Sequence, residues 1–378
     1  MVKTTLMHVG PSIGDYEVQL AGICPDQGFA SEKFKSAMSE ALKGLTYVMG
    51  CDESYLPFII PGSGTTAMES VTTFLQRKDR VLVISNGVFG NRWEGIFSRY
   101  DVELTILKSR AGYCVSQDDI MKALDKGHYK MIISTHVETS TGVRFPIEKY
   151  AAVFRKHCDI IVVDGVASVG GEMVKASAWD IDIYMTASQK AIGAPPGAGL
   201  LVVKKSLFQE YSEGNISGYV TNLMNWKPVM ETSLEGKGGY FATPPIGVIF
   251  SLRNAFSRIR EETMEKRAER HAKLSKTLRL GIKSMGLGIV AQEGYESSTV
   301  TGVMTGDIDA DTFVKNALKY GVEFAAGVHP DLKGKYFRIG HMGWVSREDI
   351  LKALNAIYNT MKEYNPKTPM PDLDSIFE

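Results

Sequence analysis

Residues 159–203 read DIIVVDGVASVGGEMVKASAWDIDIYMTASQKAIGAPPGAGLLVV. The run Ile160-Ile161-Val162-Val163 is apolar and β-branched, and it stops at Asp164-Gly165. A short continuous run of that kind predicts a parallel strand buried on both faces, with Asp164 at its carboxyl end. Ligands of open α/β sheets bind beyond the carboxyl ends of their strands. A second strand is predicted over Ile181-Asp182-Ile183-Tyr184-Met185, leading into Thr186-Ala187-Ser188-Gln189-Lys190. The turn Gly193-Ala194-Pro195-Pro196-Gly197 comes next, then a third apolar run, Leu200-Leu201-Val202-Val203.

Lys190 thus falls among buried strands and beside a rigid turn, with an acid at the end of a neighbouring strand. Most lysines stand in solvent. In an apolar surround the ammonium is disfavoured, the pKa falls, and the neutral amine can form a Schiff base. Such a lysine, with an aspartate for a pyridinium nitrogen, is the protein's share of pyridoxal phosphate chemistry. On the residues alone this outweighs a solvated surface lysine.

The 378 residues suffice for two domains, or for one large and one small. Hydrophobic content of 44% and charged content of 23% are ordinary for a globular chain. Formal net charge is zero and the basic pairs Lys204-Lys205 and Arg258-Ile259-Arg260 are isolated, so nucleic acid is not an expected partner. No run reaches transmembrane length and MVKTTLMHVGPS lacks an apolar signal core, so no membrane partner is expected either. Ser375-Ile376-Phe377-Glu378 is no peroxisomal address. Cys24, Cys51, Cys114 and Cys158 are scattered and form no CxxC pair, which fits a reducing compartment and speaks against zinc. The expectation is a cytoplasmic protein without a metal.

Along the chain, residues 1–29 read as an extended arm, and Ser31–Gly44 as a core-facing helix. An apolar strand ending at Pro61 runs into Gly62-Ser63-Gly64-Thr65-Thr66 and a helix continuing to about Arg77. Glycines and free N–H groups there suit an anion, although a plain turn with an N-cap uses the same letters. It is not the dinucleotide fingerprint, whose third glycine is missing. Strand and helix then alternate through Arg80–Ile84, Phe89–Tyr100, Val102–Leu107, Gln117–Lys126 and Met131–Thr135, which predicts crossovers and a parallel sheet. The hydroxyls of Glu138-Thr139-Ser140-Thr141-Gly142 suit either a turn or a ligand, and His136 reads as structural. Residues 204–214 read as helical, 215–242 as a long irregular loop, and 246–285 as one long charged helix with a solvated face. The last third predicts strands at Ile289–Gln292, Val300–Met304 and Tyr336–Ile339, with helices Ala310–Tyr320 and Ser346–Tyr364.

VDGVASVGG followed by ASQKAIGAPPGAG resembles the class V aminotransferases of pyridoxal phosphate fold type I, within them the serine–pyruvate and alanine–glyoxylate branch. The resemblance runs from His8-Val9-Gly10-Pro11-Ser12 to Arg338-Ile339-Gly340. It implies an α/β large domain with a mainly parallel sheet over 30–255, an arm over 1–29, and a smaller α+β domain over 256–378. It also implies a homodimer with shared active sites, a small amino acid as donor (serine or alanine) and a 2-oxo acid as acceptor (pyruvate or glyoxylate). Lys190 and Asp164 would be catalytic, Asp164 facing the pyridine nitrogen. Phe89 and Val166 would flank the ring, and Thr139 would face its 3′-oxygen. Ser63, Gly64, Thr65 and Gln189 would hold the phosphate, with Tyr240 and Thr243 reaching the neighbouring subunit's phosphate. Arg338 would bind the substrate carboxylate. Gly22 is a further substrate-site candidate, in a segment, Ala21–Asp26, where relatives often carry Gly-His-Arg or Gly-Ser. A cysteine desulfurase would need Ser-x-His-Lys and a late cysteine, a phosphoserine aminotransferase further cations, and a nicotinamide-linked dehydrogenase the missing fingerprint.

Overall fold

The computed structural model describes residues 4–23, 27–210 and 215–371. Cys24, Pro25 and Asp26, which complete the atypical arm segment, and the C-terminal residues 375–378 lie outside the described residues.

Seven strands form the larger sheet, in the order Tyr55–Pro61, Ala198–Lys204, Ile183–Ala187, Cys158–Asp164, Tyr129–Thr135, Arg80–Ser85, Glu103–Lys108. All run parallel except Ala198–Lys204, which is antiparallel to both neighbours. Residues 188–197 are too few for the crossover that a parallel return requires, so the chain turns back directly. Cys158–Asp164 lies mid-sheet with Ile160 to Val163 wholly buried, as its unbroken apolar run predicts. The next strand starts at Ile183 rather than Ile181. The Asp182 carboxylate accepts the Ile161 N–H at 2.7 Å and pairs with Arg155 at 2.6 Å and Lys204 at 3.0 Å.

A second sheet has the order Thr5–Met7, Val322–Ala326, Tyr336–Gly340, Val300–Met304, Gly288–Ile289. Two of its strands are absent from the sequence reading. Thr5–Met7, from the supposed arm, pairs parallel with Val322–Ala326. A three-residue strand carries too few residues to show a period, and only its partner strand defines it. The rest of the arm includes a helix, Tyr16–Ala21, capped by the Asp15 carboxylate. One apolar core surrounds the seven-stranded sheet, and another joins Met7 to the second sheet and its helices.

Four helical expectations change. The helix after Ser63 spans Gly64–Ser70 and tightens to a 3₁₀ turn at Val71–Phe74, far short of Arg77. Hydroxyls of Ser70 and Thr72 bond back to the carbonyls of Thr66 and Glu69, which competes with further α-turns. After residue 204 the chain turns at residues 205–206, and the described helix spans Leu207–Glu210; residues 211–214 lie outside the described residues. The predicted loop 215–242 contains a helix, Leu223–Leu234, despite Pro228 within it. Burial of Trp226, whose Nε1 donates to Val220 O at 2.7 Å, holds it against that proline. The charged helix is two, Ile246–Glu262 and Met264–Ser284, broken at Thr263 with φ of 68°. Nor is its charge all solvated. Arg267 is fully buried, donating to the carbonyls of Gly170 (2.8 Å), Ala191 (2.9 Å) and Gly343 (3.1 Å) and to Glu262 (2.8 Å).

Candidate active site

Lys190 follows the strand Ile183–Ala187, in a turn held at both ends. Its carbonyl accepts from Gly193 N at 2.8 Å and Ser12 Oγ at 2.7 Å, while Ser12 N donates to Gln189 O at 2.9 Å. The side chain is buried, and its amine donates to the carbonyl of Val9. A Cβ on Gly10 would lie 2.6 Å from Lys190 Cε and 2.7 Å from Nζ, and Gly10 has φ of +137°. Only glycine lets the N-terminal segment pass this close to the lysine. Burial, reinforced by the Arg338 charge, lowers the Lys190 pKa to about 8.

Asp164 ends the strand Cys158–Asp164, and one carboxylate oxygen accepts the Val166 N–H at 2.9 Å. Its burial pushes the carboxyl up to about 6 against that hydrogen bond. Val166 packs on Gly64, where a Cβ would meet its Cγ2 at 2.8 Å. Ser63 caps the helix Gly64–Ser70. Arg92 donates to Thr65 Oγ1 at 2.8 Å and lies over the Phe89 ring at 4.8 Å. Phe89 is held from behind by Glu138, whose buried carboxylate accepts from the N–H groups of Phe89 (3.2 Å), Gly90 (3.0 Å) and Ser140 (2.9 Å). Arg338, on the strand Tyr336–Gly340, donates to Ala326 O at 2.9 Å and Thr139 O at 3.3 Å.

One cavity of about 280 Å³ brings together Lys190, Asp164, Ser63, Gly64, Thr65, Phe89, Thr139, Val166, Gln189 and Arg338. Of these only Asp164 and Arg338 lie in strands, one in each sheet, the others in helix starts and loops, and they lie up to 275 positions apart (338 minus 63). Two buried polar atoms on its lining, Gln189 Oε1 and Thr135 Oγ1, have no hydrogen-bond partner among the described residues. Such groups call for an occupant that supplies their partners.

Three of the residues singled out in the sequence are not part of this lining. Tyr240 is 57% exposed and stacks on Phe29 at 4.9 Å, with Thr243 Oγ1 3.3 Å from its hydroxyl. Gly22 lies against the helix Ile246–Glu262, where a Cβ would come within 2.4 Å of Ser251 Oγ. Conversely, His8, Val9, Gly10, Arg92 and Thr135 line the cavity without having been picked out as site residues. Arg92 carried a signal, one helical turn after Phe89 (Val88–Phe97). The N-terminal residues carried only the resemblance, and the tertiary fold lays them over the lysine.

None of the described cysteines lines the cavity. Cys51, Cys114 and Cys158 are free, and burial raises the pKa of each, to about 12 for the latter two.

This chain is 33% identical to alanine–glyoxylate aminotransferase 1 of Saccharomyces cerevisiae, across 90% of this chain and 92% of that one. It is 31% identical to an uncharacterised aminotransferase of Methanocaldococcus jannaschii, across 96% and 94%. Among solved structures, ureidoglycine–glyoxylate aminotransferase of Bacillus subtilis superposes with a TM-score of 0.89 at 25% identity, over 99% of this chain and 97% of that one. The fold is accordingly fold type I of the pyridoxal phosphate enzymes. The family model of class-V aminotransferases matches residues 26–359, which takes in every lining residue of the cavity except those of the N-terminal segment, and the chain belongs to that family.

Proposed function

We propose that this chain moves the amino group of a small amino acid, alanine or serine, to a small 2-oxo acid, glyoxylate or pyruvate. The observation that carries the reading is a buried, weakly basic Lys190 sharing one small cavity with Asp164 and Arg338. The relatives named for alanine–glyoxylate and ureidoglycine–glyoxylate transfer support a small donor and a two-carbon acceptor. An assay of purified enzyme against a panel of donors and acceptors tests it. Absence of transamination with every small pair would reject the proposal.

The cofactor is pyridoxal phosphate, and the lining fits it: a lysine amine, a strand-end carboxylate, an aromatic and a valine to flank a ring, and an unpartnered Thr135 hydroxyl. When bound, it supplies the electron sink that lets an amino acid lose its Cα hydrogen as a proton. Ser63, Gly64, Thr65 and Gln189 would hold its phosphate, Phe89 and Val166 would flank its ring, and Thr139 would face the ring's oxygen. Asp164, as a carboxylate, would keep the ring nitrogen protonated. Lys190 would take the substrate's Cα proton on Nζ and act as the general acid that gives it up again; a pKa of about 8 leaves part of the amine neutral near pH 7.5. Arg338 orients the substrate carboxylate, which its planar fork matches better than a lysine would.

Exposed Tyr240 and Phe29, lying outside the cavity of their own chain, support a homodimer in which Tyr240 and Thr243 serve the partner's site. The division into an arm over 1–29, a large domain over 30–255 and a small one over 256–378 belongs to the same reading; the two main cores support two lobes, with Met7 in the core of the second and Val18, Phe256, Ile259 and Met264 in the core of the first. So does a cytoplasmic location; among the described residues no helix is long and apolar enough to cross a membrane.

A further inference from the structure

His8 is a titratable group in the cavity that the mechanism above leaves idle. It stands on the segment that leaves the edge strand Thr5–Met7 and passes over the lysine. The contacts of Val9 O and Gly10 with Lys190 fix that segment in place. The imidazole Nδ1 lies 3.0 Å from Gly10 O. A carbonyl oxygen only accepts, so Nδ1 carries the hydrogen, and in the neutral ring Nε2 is left with a lone pair. Burial keeps the ring neutral by lowering its pKa; the Gly10 bond opposes that, while the charges of Arg338 and Lys190 favour it. The ring makes no other hydrogen bond among the described residues.

A neutral acceptor at the edge of the cavity selects for a substrate group with a hydrogen to give. With its carboxylate on Arg338 and its Cα at Lys190, a small amino acid has its side chain left to face the rest of the lining. Serine offers a hydroxyl, alanine a methyl group, and aspartate an ionised carboxylate with no hydrogen to donate. We propose that His8 Nε2 accepts a hydrogen bond from the side-chain hydroxyl of the donor, making this chain selective for serine-type β-hydroxy amino acids over alanine and over acidic donors. This rests on the transaminase reading of the cavity.

The test compares kcat/KM for serine, alanine and aspartate, with glyoxylate as acceptor, in the wild-type holoenzyme and in His8→Phe and His8→Gln. His8→Phe keeps a flat ring and removes the acceptor, whereas the amide oxygen of His8→Gln reaches the position of Nε2 and keeps an acceptor there. The serine-to-alanine ratio should fall roughly three- to tenfold in His8→Phe, the worth of one neutral hydrogen bond, and by less in His8→Gln. Spectral titration with α-methylserine and 2-aminoisobutyrate, which have no α-hydrogen, reports the same ratio as binding constants, even in a poorly active variant. An unchanged ratio in His8→Phe by both measurements overturns the assignment of His8 alone, because both donors are still turned over. Aspartate used as readily as serine by the wild type also overturns it. A wild type inactive with all three donors overturns the transaminase reading, and this inference with it.

Discussion

The lysine amine is where the structure makes its sharpest demand. Burial is the first cause of the Lys190 pKa of about 8, the Arg338 charge is the second, and Asp164 pulls the other way. At pH 7.5 such an amine is about one quarter neutral, against about one part in a thousand for a lysine at 10.5, an advantage of roughly two hundredfold. Cofactor-free protein is treated with cyanate at successive pH values between about 6 and 10, and carbamylation of the Lys190 peptide is followed by mass spectrometry. The Lys190 rate should be half-maximal near pH 8, while exposed lysines keep rising throughout. Arg338→Met should move that midpoint upward yet leave it below 10.5, since burial remains. A midpoint at 10.5 in the wild type would refute the argument. Stability offers a second reading of the same quantity. The folded pKa is lowered, so the charged amine costs stability, fully below pH 8, and the cost fades as pH rises to 10.5. Lys190→Met should therefore stabilise the cofactor-free protein at neutral pH, by at most about 3 kcal/mol, and abolish the gain on raising pH through that window.

Asp164 is raised to about 6 and so remains mostly a carboxylate at pH 7.5. Asp164→Asn should still bind cofactor but slow the half-reaction by about a hundredfold or more in stopped-flow absorbance, whereas wild-type speed would reduce it to a structural acid. Arg338→Lys should raise KM for donor and acceptor alike, by about thirtyfold for a loss of roughly 2 kcal/mol, and unchanged values for both would place the carboxylate elsewhere. Dilution to monomer, followed by analytical ultracentrifugation, should release cofactor and activity together; a fully active monomer would reject the shared site.

Much of this protein is written in local sequence. The unbroken run Ile160 to Val163, the acid that ends it and the turn before Ala198 specify a buried mid-sheet strand and a direct reversal, because sheet period and turn length act over a few residues. Lys190 and Asp164 were legible for the same reason: their position at strand ends is a property of the segment that carries them. The N-terminal segment was not. Apart from the resemblance, no pattern in His8-Val9-Gly10 announces that it lies on a lysine 180 positions away (190 minus 10), and only the closing of the fold makes Gly10 necessary there. Nor could the helix Leu223–Leu234 be read through Pro228, or the break at Thr263, where burial and packing override the propensity of the chain. Arg267 shows the limit most plainly. Its sequence surroundings are those of a solvated face, yet three carbonyls from distant segments converge on it, and tertiary structure alone decides that a charge is buried.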